Sequence, residues 1–252
     1  MSDITISYKG ASIATMDASG TKTLLTEGKY CEDDITIDYV KSGGGGQELI
    51  DNIIGNVQIE DFVNTTYTGN NLILSRIPAI NVTIQNATVI GQSSNFNTKT
   101  TGIISLPNVT SAGASAMSSG LKATVLYMPK IGSTFGSNAF TNDCQNLIKL
   151  VVGSGHPIAN TNSSLRYATT NFKALVFHSA TSAPSLSDAA LARLNACGIV
   201  TNADGYIYVL SEAYNSFING TNWSTLGSSK YRKIEDYPLI DAPTTWIPTE
   251  AT

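Results

Sequence analysis

The feature that most constrains this chain is a spaced apolar ladder. Leu74, Ile103, Val125, Leu150 and Leu175 follow one another at steps of 29, 22, 25 and 25 residues. Companions keep the spacing: Tyr127, Val152 and Phe177 lie 25 apart, and Leu106-Pro107-Asn108-Val109 returns 22 residues later as Met128-Pro129-Lys130-Ile131. Ile77-Pro78-Ala79-Ile80 is an earlier version. Periods of this length belong to stacked repeats, in which one unit cannot bury its apolar face alone and neighbours share a core. Each unit predicts a short strand, a proline that ends it, and a polar return rich in Gly, Ser and Asn. Only 13% of the residues are charged, which fits, because Asn, Ser and Thr side chains satisfy turn backbone without like-charge repulsion between stacked units. The expected class is mainly β, a β-solenoid over residues 49–200.

The chain opens differently. Asp3-Ile4-Thr5-Ile6-Ser7-Tyr8 and Asp34-Ile35-Thr36-Ile37-Asp38-Tyr39 are near-copies displaced by 31 residues. Ile4, Ile6 and Tyr8 alternate with polar residues, as do Ile35, Ile37 and Tyr39, the pattern of half-buried strands. Lys9-Gly10, Asp17-Ala18-Ser19-Gly20 and Glu27-Gly28 supply turns between the short runs. A small β-sheet domain is expected over 1–41. Ser42-Gly43-Gly44-Gly45-Gly46 follows, and four glycines in a row lose too much backbone entropy to sit inside an ordinary element, so 42–48 reads as a flexible linker.

Short helices are expected late in the chain. Leu186-Ser187-Asp188 offers an N-cap for a helix over Ser187 to Cys197, with Leu191 and Leu194 inward and Gly198 as its stop. Tyr206-Ile207-Tyr208-Val209 reads as a strand, Ser211 to Ile218 as a short helix, and residues 201–238, which include Trp223, as a C-terminal cap closing the repeat core. Residues 239–252 hold Pro243 and Pro248 and no period, and are expected to form an extended tail.

Charge and chemistry exclude several classes. Residues 1–63 carry eleven acids against four bases, whereas 64–200 carry only Asp143 and Asp188 against eight scattered bases; that is too dilute for the phosphate-neutralising face of a nucleic-acid binder. No apolar run reaches membrane-spanning length, and the opening Met1-Ser2-Asp3 begins no secretory signal pattern. Cys31, Cys144 and Cys197 show no Cys-x-x-Cys spacing, so buried free thiols are expected rather than a disulfide framework or zinc site. Cys31-Glu32-Asp33-Asp34 lacks the EF-hand spacing and reads as a solvated turn. His156 and His178 are the only histidines, and no nucleophile motif accompanies them. With two acids in the repeat region, paired carboxylates for glycoside cleavage are also short of material. The expectation is a protein that is not an enzyme and uses no cofactor and no metal.

Two stretches resemble known modules. Ile131, then Asn138-Ala139-Phe140, Cys144, Leu147 and Leu150 resemble a unit of the BspA-like leucine-rich repeat, and the run from Ile207-Tyr208-Val209 through Tyr214 and Asn222-Trp223-Ser224 to Tyr237-Pro238 looks like the closing module that often follows such repeats. The opening, Ile13-Ala14-Thr15-Met16 through Gly20-Thr21-Lys22-Thr23-Leu24 to Gly28-Lys29-Tyr30-Cys31-Glu32-Asp33-Asp34-Ile35, is similar to a module at the start of tail-associated proteins of phages and prophages of gut Firmicutes. That resemblance implies a virion component made in the bacterial host cytoplasm: an anchoring domain, a hinge and a displayed repeat domain.

The function expected from these readings is a phage structural protein, a tail fibre or baseplate component that recognises the host surface. The alternatives are a capsid decoration or head-fibre protein without receptor binding, and a bacterial surface adhesin. Expected partners are other virion proteins, a host cell-surface glycan or protein, and further copies of the chain as a trimer, with no nucleic acid and no membrane. The long polar stretch from Gly153 to Asn171 contains His156, Arg166 and Tyr167, the candidate receptor contacts. The strands bearing Ile4, Ile6, Tyr8, Ile35, Ile37 and Tyr39 are the candidate anchor.

Overall fold

The computed structural model describes residues 4–8, 11–16, 22–24, 35–38, 56–60, 66–67, 81–84, 88–90, 101–113, 121–132, 145–154, 170–245 and 247. These residues are largely β, with a parallel sheet and few helices. The strands are β1 (Ile4–Tyr8), β2 (Ala11–Met16), β3 (Lys22–Leu24), β4 (Ile35–Asp38), β5 (Asn56–Glu60), β6 (Thr66–Tyr67), β7 (Asn81–Ile84), β8 (Val89–Ile90), β9 (Ile103–Ser105), β10 (Ser111–Ala112), β11 (Val125–Met128), β12 (Lys149–Val152), β13 (Ala174–Phe177), β14 (Tyr206–Val209) and β15 (Tyr231–Lys233). Among the described residues they form a 12-stranded sheet, ordered β15-β14-β13-β12-β11-β9-β7-β5-β4-β1-β2-β3, and a 3-stranded sheet, β10-β8-β6.

Every neighbour pairing from β4 to β15 is parallel. At the other end β1 pairs antiparallel with β2 and with β4, and β2 with β3. The two near-copies therefore do meet, with Ile6 opposite Ile37. Strand β4 pairs in turn with β5, so the N-terminal strands continue the long sheet across the glycine run. Residues 42–48 and Tyr39 lie outside the described residues.

Leu74 and Ile77-Pro78-Ala79-Ile80 lie outside the described residues, and from β9 to β12 the ladder differs from the expected one by a single residue. Ile103 is opposite Val125 as anticipated, but Val125 faces Lys149, not Leu150, and the true row is Val82, Ile104, Leu126, Leu150, Leu175, Ile207 and Tyr231. All seven belong to one buried core. The misreading has a physical source. Lys149, Leu150, Val151 and Val152 are all buried, so β12 has no polar alternation to mark its inward face, and a one-residue slip exchanges the two faces of every later strand.

The repeated tetrapeptide holds as read. Leu106, Val109, Met128 and Ile131 are fully buried, and each copy closes a turn, with Val109 N–H donating to Leu106 O and Ile131 N–H to Met128 O. Bonds spanning 22 residues tie the copies together: Thr110 N–H to Thr88 O, and Lys130 Nζ to Asn108 Oδ1 at 2.6 Å.

The helix between β13 and β14, α1, runs Asp188–Asn195, and the Ser187 hydroxyl caps it by accepting from Ala190 N–H. Gly198 is no stop. It opens a further helical turn, α2 (Gly198–Thr201), and a Cβ there would meet Thr170 O at 2.5 Å and Phe172 O at 2.7 Å; close backbone approach explains the glycine. After β14 comes α3 (Tyr214–Ile218). Phe177, Phe217, Trp223 and Tyr231 then stack edge-on and tilted at centroid distances of 5.1 to 6.0 Å, geometry that aromatic quadrupoles favour. Trp223 Nε1 donates to Pro184 O, and the Tyr231 hydroxyl to Trp223 O, each at 2.6 Å.

The segment expected as an extended tail is, over 239–245, a series of turns and bends lying on the sheet. Ile240 is fully buried, packed with Ile234 and Tyr237 against Val151, Ala174, Val176 and Tyr208. The outer face of the last strands thus has a cover of its own.

Candidate functional site

His156, Arg166 and Tyr167 lie outside the described residues. Of the candidate anchor positions, Ile4, Ile6 and Tyr8 fall on β1 and Ile35 and Ile37 on β4; their place in the sheet is that of the pairing given above.

The described residues bring together a different set. An open groove of about 390 Å³ runs across the entrances of β9, β11, β12 and β13, lined by Thr101, Lys122, Thr124, Asn146, Ile148, Asn171 and Lys173. Its construction follows from strand alternation continued beyond the strand ends. Lys122-Ala123-Thr124, Asn146-Leu147-Ile148 and Asn171-Phe172-Lys173 occupy equivalent places, each with its central residue fully buried and its flanking residues at the surface. The backbone beneath is committed. Gly102 O accepts from Thr124 and Val125 N–H, Thr124 O from Ile148 and Lys149 N–H, and Ile148 O from Lys173 and Ala174 N–H. A ligand in the groove would therefore meet side chains.

Those side chains differ in how far they are engaged. The Thr124 hydroxyl donates to Gly102 O at 3.1 Å and Asn171 Nδ2 to Gln145 O at 3.3 Å. Lys173 Nζ is 2.5 Å from Asp204 Oδ2, and that bond holds the Asp204 carboxyl below the usual carboxylate range. Lys122 and Asn146 are exposed. Neither is engaged with another described residue, which leaves one free ammonium and one free amide facing the groove.

A second polar cluster lies under the C-terminal segment. Lys149 is fully buried, and its Nζ donates to Ala242 O at 3.0 Å and Thr244 Oγ1 at 3.1 Å. Burial lowers its pKa to about 8, against the opposing pull of Asp241. The same burial, joined by Asp241, raises that of Tyr127. Asp241 Oδ2 is 3.1 Å from His178 Nδ1. This is the side of the imidazole that an orienting carboxylate takes in acid–base dyads, but no hydroxyl or thiol among the described residues bonds the other ring nitrogen. The cluster's evident work is to clamp the covering segment onto the sheet.

Cys197 is a buried free thiol, pushed up to about 12 by desolvation; Cys31 and Cys144 lie outside the described residues. Among the described residues no group of three or more His, Cys, Asp or Glu could hold a metal ion, and no helix is long and apolar enough to cross a membrane. Comparison with family models, with curated proteins and with solved structures finds no match for this chain.

The groove escaped the sequence reading because the ladder was set one residue out. With Leu126 aligned to Leu150, the triplets beginning at Lys122, Asn146 and Asn171 stack at steps of 24 and 25 residues, and that correspondence is the signal that could have found them.

Proposed function

We propose that this chain is a structural protein of a phage virion, a tail-fibre or baseplate component, whose strand repeats form a solenoid of the BspA-like leucine-rich-repeat type closed by residues 201–238. In this reading the N-terminal strands dock on the virion, the protein assembles as a trimer, and the repeats act by binding the host surface rather than by catalysis. The observation that carries the binding role is the groove: an open row of Lys, Asn and Thr side chains over a committed backbone, with Lys122 and Asn146 not spent on folding. The parallel in-register pairing from β4 to β15 supports the repeat architecture, and the opening residues that resemble phage tail modules support the mount.

Immunogold electron microscopy of purified particles, with an antibody against residues 72–238, tests the reading. Gold at the tail tip or baseplate is the expected result, and the isolated protein should then compete with particles for adsorption. Label on the capsid would replace host attachment by decoration. Label on bacterial cells alone would overturn the virion assignment in favour of an adhesin.

A further inference from the structure

We propose that the groove across the entrances of β9, β11, β12 and β13 binds a sparsely charged acidic polysaccharide, with Lys122 as the anion contact and the Asn146 amide and Thr101 hydroxyl on sugar hydroxyls. The inference rests on the surface-display reading and names the ligand class of that site.

The geometry selects an extended chain. The lining comes from successive parallel strands, which lie about 4.8 Å apart, so equivalent side chains recur as rungs across the sheet rather than converging on a point. A ligand that repeats along one direction matches such a row, and a compact small molecule does not. The chemistry selects hydroxyl-rich material. Amides and hydroxyls make up most of the lining, and these donate and accept equally well, as sugar hydroxyls do.

Charge decides the rest. Lys173 is neutralised by Asp204 at 2.5 Å, which leaves Lys122 as the groove's one uncompensated charge among the described residues. A dense polyanion would gain one contact and meet the Asp204 carboxylate at the far end. A carbohydrate with an occasional carboxylate or phosphate gains the same contact and satisfies the amides and hydroxyls between. Asp204 is exposed, so its charge can be removed without opening the core.

Isothermal titration of the full chain checks this with hyaluronan as carboxylate polysaccharide, phosphomannan as phosphate polysaccharide, dextran as neutral control and heparin as dense polyanion. Hyaluronan or phosphomannan is expected to bind, and which of the two binds tighter identifies the anion. Lys122→Glu should weaken that binding roughly tenfold, the loss of one charged contact, while Asp204→Asn, by freeing Lys173, should strengthen it. Opposite signs from two surface substitutions cannot come from a general loss of folding. Dextran binding as tightly as hyaluronan and phosphomannan, heparin binding that ignores Lys122→Glu, or no binding to any of the four would overturn the proposal. Absence of binding with gold still on the tail would remove the glycan assignment alone, whereas binding with no gold on particles would remove the virion assignment and leave the groove's specificity standing.

Discussion

Lys149 Nζ donates to the carbonyl oxygen of Ala242, 93 positions along the chain, at 3.0 Å. One buried ammonium thus ties the middle of the parallel sheet to the segment that covers its outer face. Lys149→Met keeps the aliphatic bulk and removes both of its hydrogen bonds. Ala242 O keeps the Thr244 N–H as a donor, so the expected cost is that of losing hydrogen bonds to a charged group, about 1.5–3 kcal/mol. Urea unfolding measures it, and proteolysis should cut the C-terminal segment faster in the variant.

The same lysine gives a pH signature of defined sign. Its pKa falls from its ordinary value to about 8 because burial disfavours the charged form, so between about pH 8 and the ordinary lysine range the unfolded chain binds more protons than the folded one. Stability from this group therefore rises with pH across that window. The buried tyrosines Tyr208 and Tyr231, raised chiefly by desolvation, act in the opposite sense at the top of the range. The difference between wild type and Lys149→Met, followed by urea midpoint from pH 7 to 9.5, isolates the lysine. A flat difference would refute the assignment.

Tyr231→Phe removes a hydroxyl that donates to Trp223 O at 2.6 Å inside the core. The carbonyl is left buried without that donor, and a loss of about 1–3 kcal/mol is expected. Thermal unfolding followed by near-ultraviolet circular dichroism reads both the stability and the packing of the Phe177, Phe217 and Trp223 cluster.

Gly198→Ala places a Cβ against two backbone oxygens, Thr170 O at 2.5 Å and Phe172 O at 2.7 Å. Neither can move as a flexible side chain would, so α2 must shift away from the turn before β13. An overpacking cost of about 1–3 kcal/mol is expected, despite alanine's better helix propensity. An unchanged melting temperature would refute the close approach.

Leu150→Ala tests the corrected register. Leu150 is fully buried in the core between Leu126 and Leu175, and its truncation should cost about 2–5 kcal/mol. Ile103→Ala, at a half-buried position on the opposite face, should cost clearly less. Equal losses in chemical denaturation would favour the ladder that pairs Ile103 with Leu150's row.

The turn chemistry was legible wherever one residue type forces one local outcome. The proline tetrapeptides at 106–109 and 128–131 close turns where they were read, and Ser187 caps its helix. The site was not legible. Its residues come from four separate strand entrances, and only the register between strands decides which of them become neighbours. Where β12 is buried on both faces, no alternation fixes that register, and the reading slipped.

The sequence by itself determined the near-25-residue cadence, the turns at 106–109 and 128–131 and the scarcity of charge, since these follow from local propensity and pattern. The tertiary structure decided what those elements lie against. It put Leu126 rather than Val125 in line with Leu150, folded the proline-bearing C-terminal segment onto Lys149, and gathered Lys122, Asn146 and Asn171 along one edge. Each of those outcomes depends on contacts between residues far apart in the chain. Burial and backbone hydrogen bonding select among the alternative alignments only when all the strands are packed together.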